Sequence, residues 1–136
     1  MTKSLYLPSA DDVRHHLTAA RDAGALPDCS LHVLVGDVHG FASIAIFVDE
    51  VPPDPPLAER IHVLQSSLRA LADVMTVHSV LMAISRSGPD PTQRGDVDWS
   101  DAFGSATMAA GITSHGVYLV TPGQVGRIDR PTAQAA

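Results

Sequence analysis

Seven histidines, one cysteine and a few serines, arginines and carboxylates are the groups in this chain with the chemistry to serve a site. The histidines are His15, His16, His32, His39, His62, His78 and His115. No two stand four apart on a helix or alternate along a strand, the spacings that converge imidazoles on zinc. They read as surface or hydrogen-bonded residues, with His78 a satisfied residue at the edge of a core strand. Asp37 and His39 sit two apart between glycines, in the string Gly36-Asp37-Val38-His39-Gly40. Ser85, Ser87 and Cys29 are the candidate nucleophiles. No G-x-S-x-G elbow surrounds the serines, and no glycine-rich phosphate loop follows a strand. Cys29 precedes an apolar run, which predicts a half-buried, unreactive thiol. Arg86 and Arg94 lie close to the serines, with Asp98 just beyond. Two guanidiniums there could hold an anionic group.

The string around Asp37 resembles the opening motif of metallophosphoesterases. In those enzymes further carboxylate, Asn and His ligands come from later motifs, and a helix follows the first. Here the later motifs are absent and the chain continues as Phe-Ala-Ser-Ile-Ala-Ile-Phe-Val, a strand pattern. Gly, Asp and His all suit turn geometry, so the string predicts a structural hairpin turn.

The elements that position these groups can be read from periodicity. Ser9 is placed as an N-cap, with Asp12 three residues on and Asp11 beside it at the positive end of the helix dipole. Val13, Leu17 and Ala20 share a face, Gly24 supplies a left-handed stop, and Pro27 prevents resumption. Residues 31–35 and 41–48 form a hairpin. The second run is apolar almost throughout, which predicts a central strand buried on both faces. Pro52, Pro53, Asp54, Pro55 and Pro56 make a stiff extended connection. Leu57, Ile61, Leu64, Leu68, Leu71 and Met75 then repeat at helical spacing. A buried strand is predicted over 77–84, a long loop over 85–96, and a helix over 99–110 closed by Gly111. Residues 116–121 and 124–128 flank Pro122-Gly123 as a second hairpin. The fold class is α/β: a mixed sheet with flanking helices, in the order α-β-β-α-β-α-β-β. One domain covers 1–130, and 131–136 is a flexible tail.

Composition narrows the function classes. With 136 residues, 45% of them apolar, the chain can bury a core without staples. A single cysteine excludes an intrachain disulfide and fits a reducing, cytoplasmic setting. The N-terminal residues show no signal-peptide pattern, and the longest apolar segment is too short for a bilayer. A net charge of −6 with no run of Lys or Arg argues against nucleic acid as a partner.

The frame from Ser85 to Asp98 resembles the JAMM/MPN metalloproteases, within them the RadC group, and so a deaminase-like fold. That family carries His-x-His after a buried strand, then a Ser and an Asp at the next helix. Overlaid, the histidine positions fall on Ser85 and Ser87, the serine position on Gly95 and the aspartate position on Asp98. The order of elements is also similar, from about Ser9 to Ile128. The resemblance implies a zinc site whose imidazoles are here replaced by hydroxyls, which are poor ligands. The family's upstream glutamate has no match, since the only glutamates are Glu50 and Glu59. The expectation is a pseudoenzyme: a non-catalytic domain without metal or cofactor, acting through a protein partner or as a homodimer. The alternative is a small hydrolase, or an enzyme binding an anionic ligand, at Ser85, Arg86, Ser87, Arg94 and Asp98.

Overall fold

The computed structural model describes residues 5–26, 28–48, 56–88 and 91–128. The Pro27 stop, the connection over 52–55 and the tail at 131–136 lie outside the described residues. The elements are α1 (Ala10–Asp22), β1 (Ser30–Gly36), β2 (Ala42–Val48), α2 (Leu57–Val74), β3 (Ser79–Ser85), α3 (Arg94–Ala110), β4 (Thr113–Thr121) and β5 (Gln124–Arg127). Their order is the one the periodicity predicts.

The strands form one five-stranded sheet in the order β2-β1-β3-β4-β5. β1 is antiparallel to both neighbours, β3 and β4 run parallel, and β5 folds back on β4. The sheet is therefore mixed. Alternate residues divide it between two cores. Leu31, Val33 and Val35 of β1 join Val80, Met82 and Ile84 of β3 beneath α2 and α3. Leu34, Leu81, Ala83, Tyr118 and Val120 point the other way, onto Val13 and Leu17 of α1. The result is three layers, with one helix on one face and two on the other.

Local signals explain most boundaries. Ser9 caps α1, its hydroxyl accepting from the Asp12 N–H at 3.3 Å. Gly24 and Gly111 end α1 and α3 in the left-handed conformation, with φ of +73° and +69°, which glycine adopts without a Cβ clash. The Gly24 N–H reaches the Arg21 carbonyl and the Ala25 N–H reaches that of Ala20, the paired bonds of a Schellman stop.

Two expectations are corrected. β2 is an edge strand, not a central one, and Ile44 on it is 44% exposed. The strands buried at every position are β1 and β3. An apolar run predicts burial on both faces only when a neighbour and a helix cover each side. β2 lacks a strand neighbour over most of its outer edge among the described residues, where only Leu5 to Leu7 pair with its start. The second correction is the start of α3, at Arg94 rather than at 99. Gln93 and Asp96 form a capping box there, each side chain bonding the other's backbone N–H, and this overrides the helix-weakening Gly95.

The Asp37 string is the β1–β2 turn. The Asp37 carboxylate accepts from the His39 N–H at 2.9 Å and the Phe41 N–H at 3.0 Å. Those bonds, Phe41's first, hold its pKa below the usual carboxylate value. His39 is exposed at the tip. His39→Ala should leave the melting temperature unchanged, whereas Asp37→Ala should lower it; thermal melts of the two side by side check this. A stoichiometric metal ion lost with His39 would overturn the structural assignment.

Burial of a second histidine has consequences for pH. His32 on β1 is buried on the α1 face, and desolvation together with the charge of His16 lowers its pKa to about 4. Burial also lowers His16 and His115. The unfolded chain takes up these protons near pH 6.5, whereas the native state resists them until lower pH. Stability is therefore present above about pH 6.5 and lost as pH falls towards 4. For His32 the loss is on the order of 1–3 kcal/mol. Urea denaturation at pH 7 and pH 4.5 should show this loss in the wild type and a smaller one in His32→Leu. Equal stability of the wild type at both values would refute it.

Candidate functional site

The two serines, Arg86 and the start of α3 meet where β3 leaves the sheet. Ser85 is its last residue, buried between Ser30 of β1 and Val120 of β4 in register. The Arg86 N–H extends the ladder by one bond to the Val120 carbonyl, at 3.1 Å. Beyond this point the backbone turns out towards α3.

Two carboxylates organise the turn. Asp96 is 3% exposed. It receives the Arg86 guanidinium as a fork, Nε donating at 3.0 Å to Oδ1 and Nη2 at 2.8 Å to Oδ2. The same guanidinium donates to the carbonyls of Ser87 and Pro91, each at 3.1 Å. Asp96 Oδ2 also accepts the Gln93 N–H at 2.8 Å, so one carboxylate caps α3 and anchors the arginine. Asp28, before β1, takes the Ser87 N–H at 2.6 Å on Oδ1 and the Ser87 hydroxyl at 3.1 Å on Oδ2. Next to it Cys29 has φ of +55°, a left-handed conformation unfavourable for a residue with a Cβ. Its thiol is exposed, not half-buried as the sequence predicts. The strained residue turns the chain so that Asp28 faces Ser87.

Beneath this network lies Arg60, the largest fully buried side chain, at 1% exposure. It donates to the Gly95 carbonyl at 2.9 Å, and its guanidinium carbon stands 5.1 Å from the centre of the Trp99 ring. Arg60 thus ties the first turn of α2 to the first turn of α3. Such desolvated cation–π contacts are worth about 2 kcal/mol.

Of the residues singled out in the sequence, Ser85, Arg86 and Ser87 come together. Arg94 stands exposed at the first position of α3, and Asp98 is half-buried two residues beyond Asp96, outside the network. The carboxylate facing the loop is Asp96. Asp96, Asp28 and Arg60 are the residues that sequence reasoning missed. A Gln-x-x-Asp capping pattern could have pointed to Asp96; no local signal joins Asp28 to a serine 59 positions away.

The zinc implied by the JAMM/MPN resemblance does not fit these donors. Ser85 and Ser87 offer neutral hydroxyls, that of Ser87 already donating to Asp28; Asp98, at the family's aspartate position, stands outside the network, and the Asp96 carboxylate that faces the loop is taken by a guanidinium and a backbone N–H. Among the described residues no three His, Cys, Asp or Glu side chains converge as a metal ion requires. No helix among them is long and apolar enough to cross a membrane.

The chain is thus an α/β protein of three layers with an ion-paired loop at the end of its central strand. No protein-family model, curated protein or solved structure matches it.

Proposed function

We propose that the protein is a non-catalytic binding module of JAMM/MPN type, acting through a protein partner or a second copy of itself. The observation that supports this most is the saturation of the loop. Arg86, Asp96, Ser87 and Asp28 satisfy one another, whereas a catalytic site keeps a nucleophile, base or cation open to substrate. Met108 on α3 and Val74 at the end of α2 are 83% and 79% exposed, apolar side chains presented by the two-helix layer. Such residues suit contact with another protein.

Affinity capture from the native host, with wild type and a Val74→Asp, Met108→Asp variant compared at equal stability, tests the reading. A partner, or a dimer in sedimentation, retained by the wild type and lost by the variant is expected. Stoichiometric zinc in the purified wild type would overturn it. The family placement has its own test, in Ser85→His, Arg86→Asn, Ser87→His. Zinc binding gained by this triple variant and abolished by Asp98→Ala, at the family's aspartate position, would support the JAMM/MPN geometry. No gain would remove the family and leave the non-catalytic reading standing.

A further inference from the structure

One edge of the sheet and one flank of a helix present a common surface. β2 has no strand neighbour over most of its outer edge among the described residues, and Ser43, Ile44 and Ala45 on it are exposed. Alternate residues of such an edge turn their N–H and C=O groups outward, a ladder that another strand completes. Natural edges are guarded by a lysine, a proline, a bulge or short length. Ala42–Val48 has no charged residue and no proline, and its ladder with β1 is regular from Ile44 to Val48. The opposite edge is guarded, since β5 has four residues and carries Gly126 and Arg127.

α2 bears a second stripe, distinct from the one that meets the core. Val63, Ser67, Ala70 and Val74 recur at spacings of four, three and four, which aligns them along one side of the helix. Val63 and Ser67 are half-buried, Ala70 and Val74 exposed. The Ser67 hydroxyl donates to the Val63 carbonyl at 2.9 Å, so the stripe's polar side chain is already bonded. α3 lies on the other side of α2, where Gln65, Leu68 and Ala72 line a groove with Ala106 and Ala109. α3 packs beside β4, whereas Ile46 of β2 packs onto the core that holds Leu64. The second stripe therefore overlooks the free edge of β2.

We propose that this flank joins two copies of the chain about a two-fold axis, β2 pairing antiparallel with β2 and α2 lying beside α2. Such a dimer deepens the binding-module reading, on which it rests, by making a second copy the partner. A single extended peptide would complete the β2 ladder but leave the helix stripe above it uncovered. A fitting partner presents a strand edge and a helix flank at the same separation, and a second copy does so by construction. In a two-fold contact the same surface lies on both sides, so any charge within it would face its own sign. No charged residue stands in Ala42–Val48 or at the four stripe positions. The two helices run antiparallel, which opposes their dipoles favourably. The strand spans about 23 Å, the helix about 27 Å, and helix plus sheet about 20 Å in depth, giving a patch on the order of 500 Å² per copy, a small and reversible interface.

Sedimentation equilibrium of the full chain tests this. A reversible dimer is expected by about 100 µM, with the amides of Ser43 to Ile46 exchanging more slowly as concentration rises. Ile44→Lys charges the strand edge and Ala70→Glu the helix flank, both at exposed positions. Each variant, its folding checked by circular dichroism, should weaken dimerisation at least tenfold. Met108→Asp, on α3, should leave the dimer intact. A monomer at every concentration, a dimer indifferent to both flank substitutions, or one lost with Met108→Asp would overturn the proposal. A monomer that still captures a different protein would overturn only the second copy as partner. One that captures none would remove the binding-module reading as well.

Discussion

Asp96→Ala is expected to cost about 3–5 kcal/mol of stability, the range for breaking a buried ion pair from one side. The substitution leaves the Arg86 guanidinium, whose side chain is 17% exposed, without its carboxylate. It also removes half of the capping box of α3, a further contribution of about 1 kcal/mol. The reverse truncation, Arg86→Ala, leaves Asp96 charged and buried and should be comparably harmful. Replacing both together, as Arg86→Met with Asp96→Leu, should recover much of the loss, because no uncompensated charge remains. Urea denaturation of the wild type, Asp96→Ala, Arg86→Ala and the Arg86→Ala, Asp96→Ala double variant forms a double-mutant cycle, against which the repacked Arg86→Met, Asp96→Leu protein is compared. A cost below 1 kcal/mol for Asp96→Ala would mean that the pair is solvated and that the loop is not closed in solution.

Truncating Leu64 to Ala should cost about 2–5 kcal/mol, through lost transfer energy and the cavity left behind. Leu64 is 1% exposed and lies with Leu68 and Leu71 on the face of α2 that meets α3 and the sheet. Leu57, at the start of the same stripe, is an exposed control, and its truncation should change stability by less than about 0.5 kcal/mol. The contrast reads burial along one helix by chemical denaturation. Equal costs at both positions would show that the stripe is uniformly buried or uniformly exposed, against the structure.

What could be read from the sequence was set by locality. The spacing of Leu64, Leu68 and Leu71, the cap at Ser9 and the stops at Gly24 and Gly111 are signals within a few residues, and each lies where the pattern places it. β2 escaped because its apolar run reports composition, whereas edge or centre is decided by strands distant in sequence. The site divided in the same way. Ser85, Arg86 and Ser87 were visible as a cluster because they are contiguous. Asp28 and Arg60 reach the same place only through the folded sheet and the packing of α2 on α3. Arg60 was hidden by its type, since an arginine on an apolar helical face ordinarily reaches out to water with its head group.

The interior position of β1, between β2 and β3, has a bearing on how the chain is made. Its hairpin partner β2 emerges directly after it, but its other neighbour, β3, follows only once α2 has been synthesised. A nascent chain that ends within α2 therefore carries an apolar strand with one unpaired edge, the kind of surface that recruits strands from other molecules. The apolar face of α2 that will cover this half of the sheet is completed before β3 appears. Its early docking on β1 and β2 would shield their apolar side chains while the edge waits, making the order of helix and strand along the chain a safeguard against aggregation during translation.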